Sequence, residues 1–211
     1  MDIAERTPRE RRFQRTQQAI LTAAREIINK QGIEALSMRA IADKIDYSPA
    51  GLYNHYDSKE EIVGELVRQG FQRFAHYLNQ VDKSLPVEDY MVEMGLAYID
   101  FAVKNSDFFL LMFTTAPLID AEDFQISKPD AIDALQSDHA FGILVRGVER
   151  CVQEGIYHIH PGYGLIEMAH AAWSLVHGIA MLQISLLRQT PLEIEKIRTT
   201  IRSLNNGLKA L

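Results

Sequence analysis

Residues 37–59, SMRAIADKIDYSPAGLYNHYDSK, decide the fold. Ser37 stands where it can cap a helix whose apolar residues, Met38, Ile41, Ala42 and Ile45, recur at i, i+3, i+4 and i+7, one face of a two-turn helix. Asp46-Tyr47-Ser48 breaks that pattern. Ser48 then caps a second helix with Pro49 at its first position, where the missing N–H costs nothing. The spacing predicts this helix over residues 49–56, burying only Leu52 and at most Tyr56 and leaving Ala50, Gly51, Tyr53, Asn54 and His55 outward. A helix so poor in core contacts needs another reason to exist.

Upstream, Thr7-Pro8-Arg9-Glu10 is a capping box that opens a helix with Phe13, Ile20, Ala24, Ile27 and Ile28 on its inner face and Gly32 at its stop. Downstream, Ser58 with Glu61 starts a helix to about residue 81, and residues 82–86 form a boundary. Helical spacing returns over residues 87–105 at Tyr90, Met94, Ala97, Tyr98 and Phe101, followed by a cap at Asn105-Ser106-Asp107 and an aromatic stretch, 108–113. Residues 114–128 read as a loop, and Ser127-Lys128-Pro129-Asp130 as the start of a helix through Ile132, Leu135, Val145, Val148 and Val152 to Gly155. The last two helices carry apolar seams: Trp173, His177, Ala180, Ile184 and Leu187, then Ile194, Ile197, Ile201, Leu204, Leu208 and Leu211. Paired seams predict a four-helix interface between two copies, with Ala180, Ile184, Leu187, Ile194, Ile197, Ile201, Leu204 and Leu208 in it; closure of an intramolecular bundle is the competing reading. The chain reads as all-α, with a three-helix unit in residues 1–60, a linking helix over 59–81 and a helical bundle over 82–211.

The 211 residues are 47% apolar, enough for a core, and carry a net charge of −6. That acidity opposes nucleic-acid binding until it is divided: residues 1–59 hold a net +2 and residues 60–211 a net −8, with Arg6, Arg9, Arg11, Arg12 and Arg15 clustered ahead of the opening motif. One cysteine, Cys151, allows no internal disulfide and fits a reducing, cytoplasmic setting, as a buried hydrophobe rather than a redox sensor. Residues 168–187 are uncharged and long enough to span a bilayer, yet they contain two His, two Ser and a Gln and read as a fully buried core helix with no membrane partner. His158-Ile159-His160 lacks further ligands at metal-binding spacing, and no nucleotide, metalloprotease or hydrolase motif occurs, so neither an enzyme nor a cofactor is expected.

Three runs at fixed spacing, LSMRAIA (36–42), SPAGLYNHY (48–56) and SKEEI (58–62), resemble the helix-turn-helix of the TetR family of bacterial transcription regulators. The turn departs from the common pattern, with Asp46 for a frequent glycine and Tyr47 for a small aliphatic residue; Asp tolerates the left-handed conformation. The resemblance implies a recognition helix in the major groove, with DNA-contacting positions at Ser37, Arg39, Ser48, Ala50, Gly51, Tyr53, Asn54, His55 and Lys59. Tyr53, Asn54 and Gly51 are expected at base edges, and Ser37, Arg39, Ser48, His55 and Lys59 at phosphates. The AWSLVHGIAML run (172–182) resembles a subgroup marked by Trp-x-x-x-His-Gly, here Trp173, His177 and Gly178. A small-molecule inducer pocket follows from the resemblance, and Met94, Tyr98, Phe101, Phe109, Met112, Phe113, Trp173 and His177 would suit an apolar or aromatic effector, though each also reads as ordinary core. The expected protein is a homodimeric, ligand-released repressor on a pseudo-palindromic operator; an architectural or division-linked DNA-binding protein is the rival.

Overall fold

The computed structural model describes residues 7–115, 135 and 139–210, and among these the regular elements are all helices. They divide into two compact units, with the boundary between Gln69 and Gly70.

In the first unit α1 (Pro8–Gln31) begins with the anticipated capping box: the Thr7 hydroxyl accepts from Glu10 N–H at 3.3 Å and the Glu10 carboxylate accepts from Thr7 N–H at 2.7 Å. Gly32, at φ 84°, closes the helix. After a short 3-10 turn (Ile33–Ala35), α2 (Met38–Lys44) and α3 (Pro49–Leu52) are each capped by a serine: Ser37 Oγ accepts from Ala40 N–H at 3.1 Å, and Ser48 Oγ from Gly51 N–H at 3.0 Å. Between them Asp46 adopts φ 51°, the left-handed conformation its short polar side chain tolerates. Ile20, Ala24, Leu36, Ile41, Ala42 and Leu52 close one small core, each larger aliphatic contributing about 1.5–3 kcal/mol by leaving water. The helix α4 (Lys59–Leu78) follows, capped by Ser58 Oγ on Glu61 N–H at 3.1 Å; Glu61 reaches back to Asp57 N–H at 2.6 Å.

Four local expectations are corrected. Phe13 is 42% exposed, because the buried residues of α1 begin only at Ile20. The second helix ends at Leu52 rather than 56: His55 N–H bonds to Leu52 C=O at 2.8 Å, a tightened turn that still returns Tyr56 to the core. α4 stops at Leu78, where Gln80 and Val81 likewise tighten onto Tyr77 and Leu78. Residues 114 and 115 are not loop but the end of α6 (Ser106–Thr115).

The second unit is built on α5 (Val87–Lys104), which packs against α7 (Ala140–Gln153), α8 (Leu165–Ile184) and α9 (Ile194–Ala210). Small residues let these helices approach: a Cβ at Gly95 would stand 2.9 Å from Ile201 and 3.2 Å from Val176. Arg150 donates to the carbonyls of Lys83 and Leu85 at 3.1 and 3.0 Å, tying residues 82–86 to α7. Arg198 pairs with Glu93, and Arg202 with Asp89 at 3.1 Å, fastening α9 to α5. The expected loop over 116–128, the helix start at 127–130, Ile132, Arg6 and Leu211 lie outside the described residues; the described helix starts at Ala140, with His139 before it.

Two larger corrections concern the last helices. α8 is long and apolar enough to cross a membrane by length and composition, but it is not a fully buried core helix: only 22% of its most apolar window is buried. Conversely Ala180, Ile201 and Leu208, read as facing a second copy, are at most 4% exposed within the protomer, because those seam positions meet α5 and each other's helices. Cys151 is fully buried beside Tyr157, and burial pushes the thiol up to about 12, as suits a buried hydrophobe rather than a redox sensor.

Candidate nucleic-acid interface and aromatic core

Adjacent residues at the end of α3 part company: Leu52 is fully buried and Tyr53 is 55% exposed. Consecutive helical positions point about 100° apart, so anchoring Leu52 in the core turns Tyr53 out. Ala50 and Asn54 are exposed with it, and Gly51, His55 and Lys59 are half-buried. Ser37, Arg39 and Ser48 are exposed too. Each serine oxygen accepts a capping N–H, which leaves its hydroxyl proton free for an anionic acceptor such as phosphate. Arg39 lies 3.9 Å from Asp43, a loose surface pair that holds it little. Arg9, Arg11, Arg12 and Arg15 are exposed along the first turns of α1.

His55 is placed less simply than expected. Its ring lies tilted against Phe13 with centroids 4.3 Å apart, its Nδ1 is buried without a partner, and burial lowers its pKa from the usual 6.5. Phe13 therefore packs on His55 rather than in the core. Nothing in its helical spacing could have told the two apart.

The second unit gathers Tyr98, Phe109, Phe113, Trp173 and His177 into one ring cluster, with centroid separations of 4.7 to 6.2 Å. The other pocket candidates belong to the same core: Phe101 packs on Phe74 and Tyr77, and Phe74 in turn on Tyr98, while Met94 faces Gly147 and Met112 fills the space at Gly70. Within the cluster Trp173 Nε1–H donates to the Tyr98 hydroxyl oxygen at 2.9 Å, and Tyr98 lies 2.8 Å from His177 Nδ1. Trp173 Nε1–H, the Tyr98 hydroxyl and His177 Nδ1 are all paired when Tyr98 donates to Nδ1, a choice that makes His177 neutral with its proton on Nε2. Burial pushes the Tyr98 hydroxyl up and the His177 imidazole down, so both stay uncharged near neutrality. Among the described residues no group of three His, Cys, Asp or Glu could hold a metal ion.

A family model described as "Bacterial regulatory proteins, tetR family" matches residues 20–66, and one described as "Tetracyclin repressor-like, C-terminal domain" matches residues 91–199. Among curated proteins the chain is 29% identical over 94 residues to "Uncharacterized HTH-type transcriptional regulator YobS" of Bacillus subtilis, covering 44% of this chain. It is 36% identical over 80 residues, or 38% of this chain, to "HTH-type transcriptional regulator UidR" of Escherichia coli. The matches span about half or less of those relatives' own length, 49% and 41%. Among solved structures, a bacterial regulatory protein in the tetR family from Rhodococcus RHA1 aligns with TM-score 0.69 at 21% identity, over 91% of this chain and 95% of that one. Salmonella enterica GusR aligns with TM-score 0.67 at 19% identity, over 93% and 96%. At these identities the structural likeness concerns the fold.

Proposed function

The chain belongs to the TetR family of DNA-binding transcription regulators, and from that premise we propose that it is a homodimeric repressor which releases a pseudo-palindromic operator on binding a small apolar or aromatic effector. The observation that carries the reading is the outward set Ala50, Tyr53 and Asn54, on α3 and the turn that follows it, in a segment whose buried side chains are Leu52 and Tyr56. Asn54 can bond an adenine edge bidentately, Tyr53 can lie against a base, and Ser37, Arg39, Ser48, His55 and Lys59 surround them at phosphate level. Residues 1–60 supply this surface, and residues 82–211 supply effector binding and dimerisation.

Dimerisation is supported by uncovered apolar side chains: Leu182, Leu186, Leu187 and Ile194 are 47, 83, 42 and 51% exposed, and Ile184, Ile197 and Leu204 are half-buried beside them. A second copy laid on this face removes them from water. The effector reading is supported by the Trp173–Tyr98–His177 chain, which also supports placing the protein with the Trp-x-x-x-His-Gly subgroup. It leaves His177 Nε2–H as a donor among Phe109, Phe113 and Trp173, suited to an aromatic compound bearing a carbonyl or carboxylate. Effector binding acts through α4, the helix that carries the chain from one unit to the other, by shifting the population of recognition-helix spacings away from the half-site separation. Capture of fragmented genomic DNA by the purified protein tests the reading. A few promoter-proximal, two-fold symmetric sites, lost on adding the right effector, are expected; many scattered sites with no effector response would indicate an architectural protein instead.

A further inference from the structure

Among the described residues up to 69, the large apolar side chains left exposed are all aromatic: Phe13 at 42%, Tyr47 at 41% and Tyr53 at 55%. They gather around one helix. Phe13 packs at a tilt on His55, Tyr47 meets the same His55 edge-on with centroids 6.3 Å apart, and Tyr53 projects from the end of α3. The Tyr47 ring lies along the start of α3, so close that a Cβ on Gly51 would stand 2.5 Å from Tyr47 Cε1 and 3.0 Å from Cδ1. Its backbone is fixed as well, by Tyr47 N–H on Ala42 C=O at 3.0 Å directly after the left-handed Asp46. The glycine is therefore matched to the tyrosine, and the pair holds an exposed ring against Gly51 and His55, within the segment that also carries the outward Ala50, Tyr53 and Asn54.

A ring held this firmly without being buried adds little to the core. In a major groove it has a use. The thymine C5-methyl is the apolar group that distinguishes a base pair there, and an aromatic side chain can pack on it. We propose that Tyr47 is a specificity-determining residue: its ring, seated along Gly51, reads a thymine methyl in each half-site, and glycine at position 51 is required to seat it. This rests on the DNA-binding reading given above. It assigns a reading role to the turn itself, outside the recognition helix.

The test is selection from a pool of random-sequence duplexes, performed on the full chain as wild type, Tyr47→Val, Tyr47→Phe, Gly51→Ala and the Tyr47→Val/Gly51→Ala double variant, with thermal melts to confirm folding. Wild type and Tyr47→Phe select thymine at one position per half-site, whereas Tyr47→Val loses about tenfold in preference at that position and keeps the others. Gly51→Ala weakens binding in the wild-type background and does so much less in the double variant, where the smaller valine side chain removes the 2.5 Å contact and leaves Ser48 Oγ, at 3.0 Å, to give way to the added methyl. Unchanged preferences in Tyr47→Val, loss of preference in Tyr47→Phe, or an equal effect of Gly51→Ala in both backgrounds each overturn the inference alone. A folded wild type that enriches no sequence overturns the DNA-binding reading and the inference with it.

Discussion

Leu52 and Tyr53 are neighbours with opposite tasks, one fully buried and the other more than half exposed. Leu52→Ala should destabilise the protein by about 2–5 kcal/mol in denaturant titration, the range for emptying a buried leucine site. Tyr53→Ala should abolish operator binding in a mobility-shift assay and leave the melting temperature nearly unchanged. Titration offers a second check in the other unit. Burial holds the His177 pKa below 6.5, so the unfolded chain takes up a proton that the folded one refuses. Stability is full above pH 6.5 and falls as pH drops through the window below it, and protonation of Nδ1 also ends its acceptance from Tyr98. Melting temperatures should fall as the pH drops below 6.5, and His177→Gln should reduce that fall; His55, whose pKa shifts the same way, adds to it. Features set by immediate neighbours were legible in the sequence: the caps at Thr7, Ser37, Ser48 and Ser58, and the left-handed Asp46. Phe13 was not, because a helical phase says which residues share a face and not how far along the helix a small core extends.

The same distinction governs whole elements. The seams of α8 and α9 were legible as seams, yet Ala180, Ile201 and Leu208 turn into the protomer while Leu182 and Ile194 are left outside. Periodicity fixes a stripe; the partner of each stripe depends on tertiary packing, here on α5 and the close approach allowed at Gly95. Gly95→Leu should force Ile201 and Val176 aside and destabilise the protein by about 1–3 kcal/mol, read as a lower denaturant midpoint. A charge on the uncovered face should act differently. Leu182→Glu should leave a folded helical protomer and shift sedimentation from dimer to monomer; a wild type that already sediments as a monomer would remove the proposed interface. The candidate pocket shows the limit of composition: of eight soft or aromatic residues, five share direct ring contacts, while Phe101 joins Tyr98 through Phe74 and Met94 and Met112 pack at Gly147 and Gly70.

Across the whole molecule, charge and shape divide the labour. Residues 1–59 carry a net +2 and residues 60–211 a net −8, so the basic minority of the chain coincides with the surface proposed to meet phosphate. All-α architecture and the helix-turn-helix were legible because three motif runs sit at fixed spacing; the effector was not, because a pocket is a shape and its residues are those of any core. Recognition of a specific duplex is proposed to fall to Ala50 on α3 and to Tyr53 and Asn54 just after it. Fluorescence anisotropy on a duplex recovered by selection, against a scrambled duplex of equal length, at several salt concentrations, tests it most directly. Affinity for the selected duplex should be roughly a thousandfold or more tighter, and both affinities should fall steeply as salt rises. Equal affinity for the two duplexes at every salt concentration would contradict it.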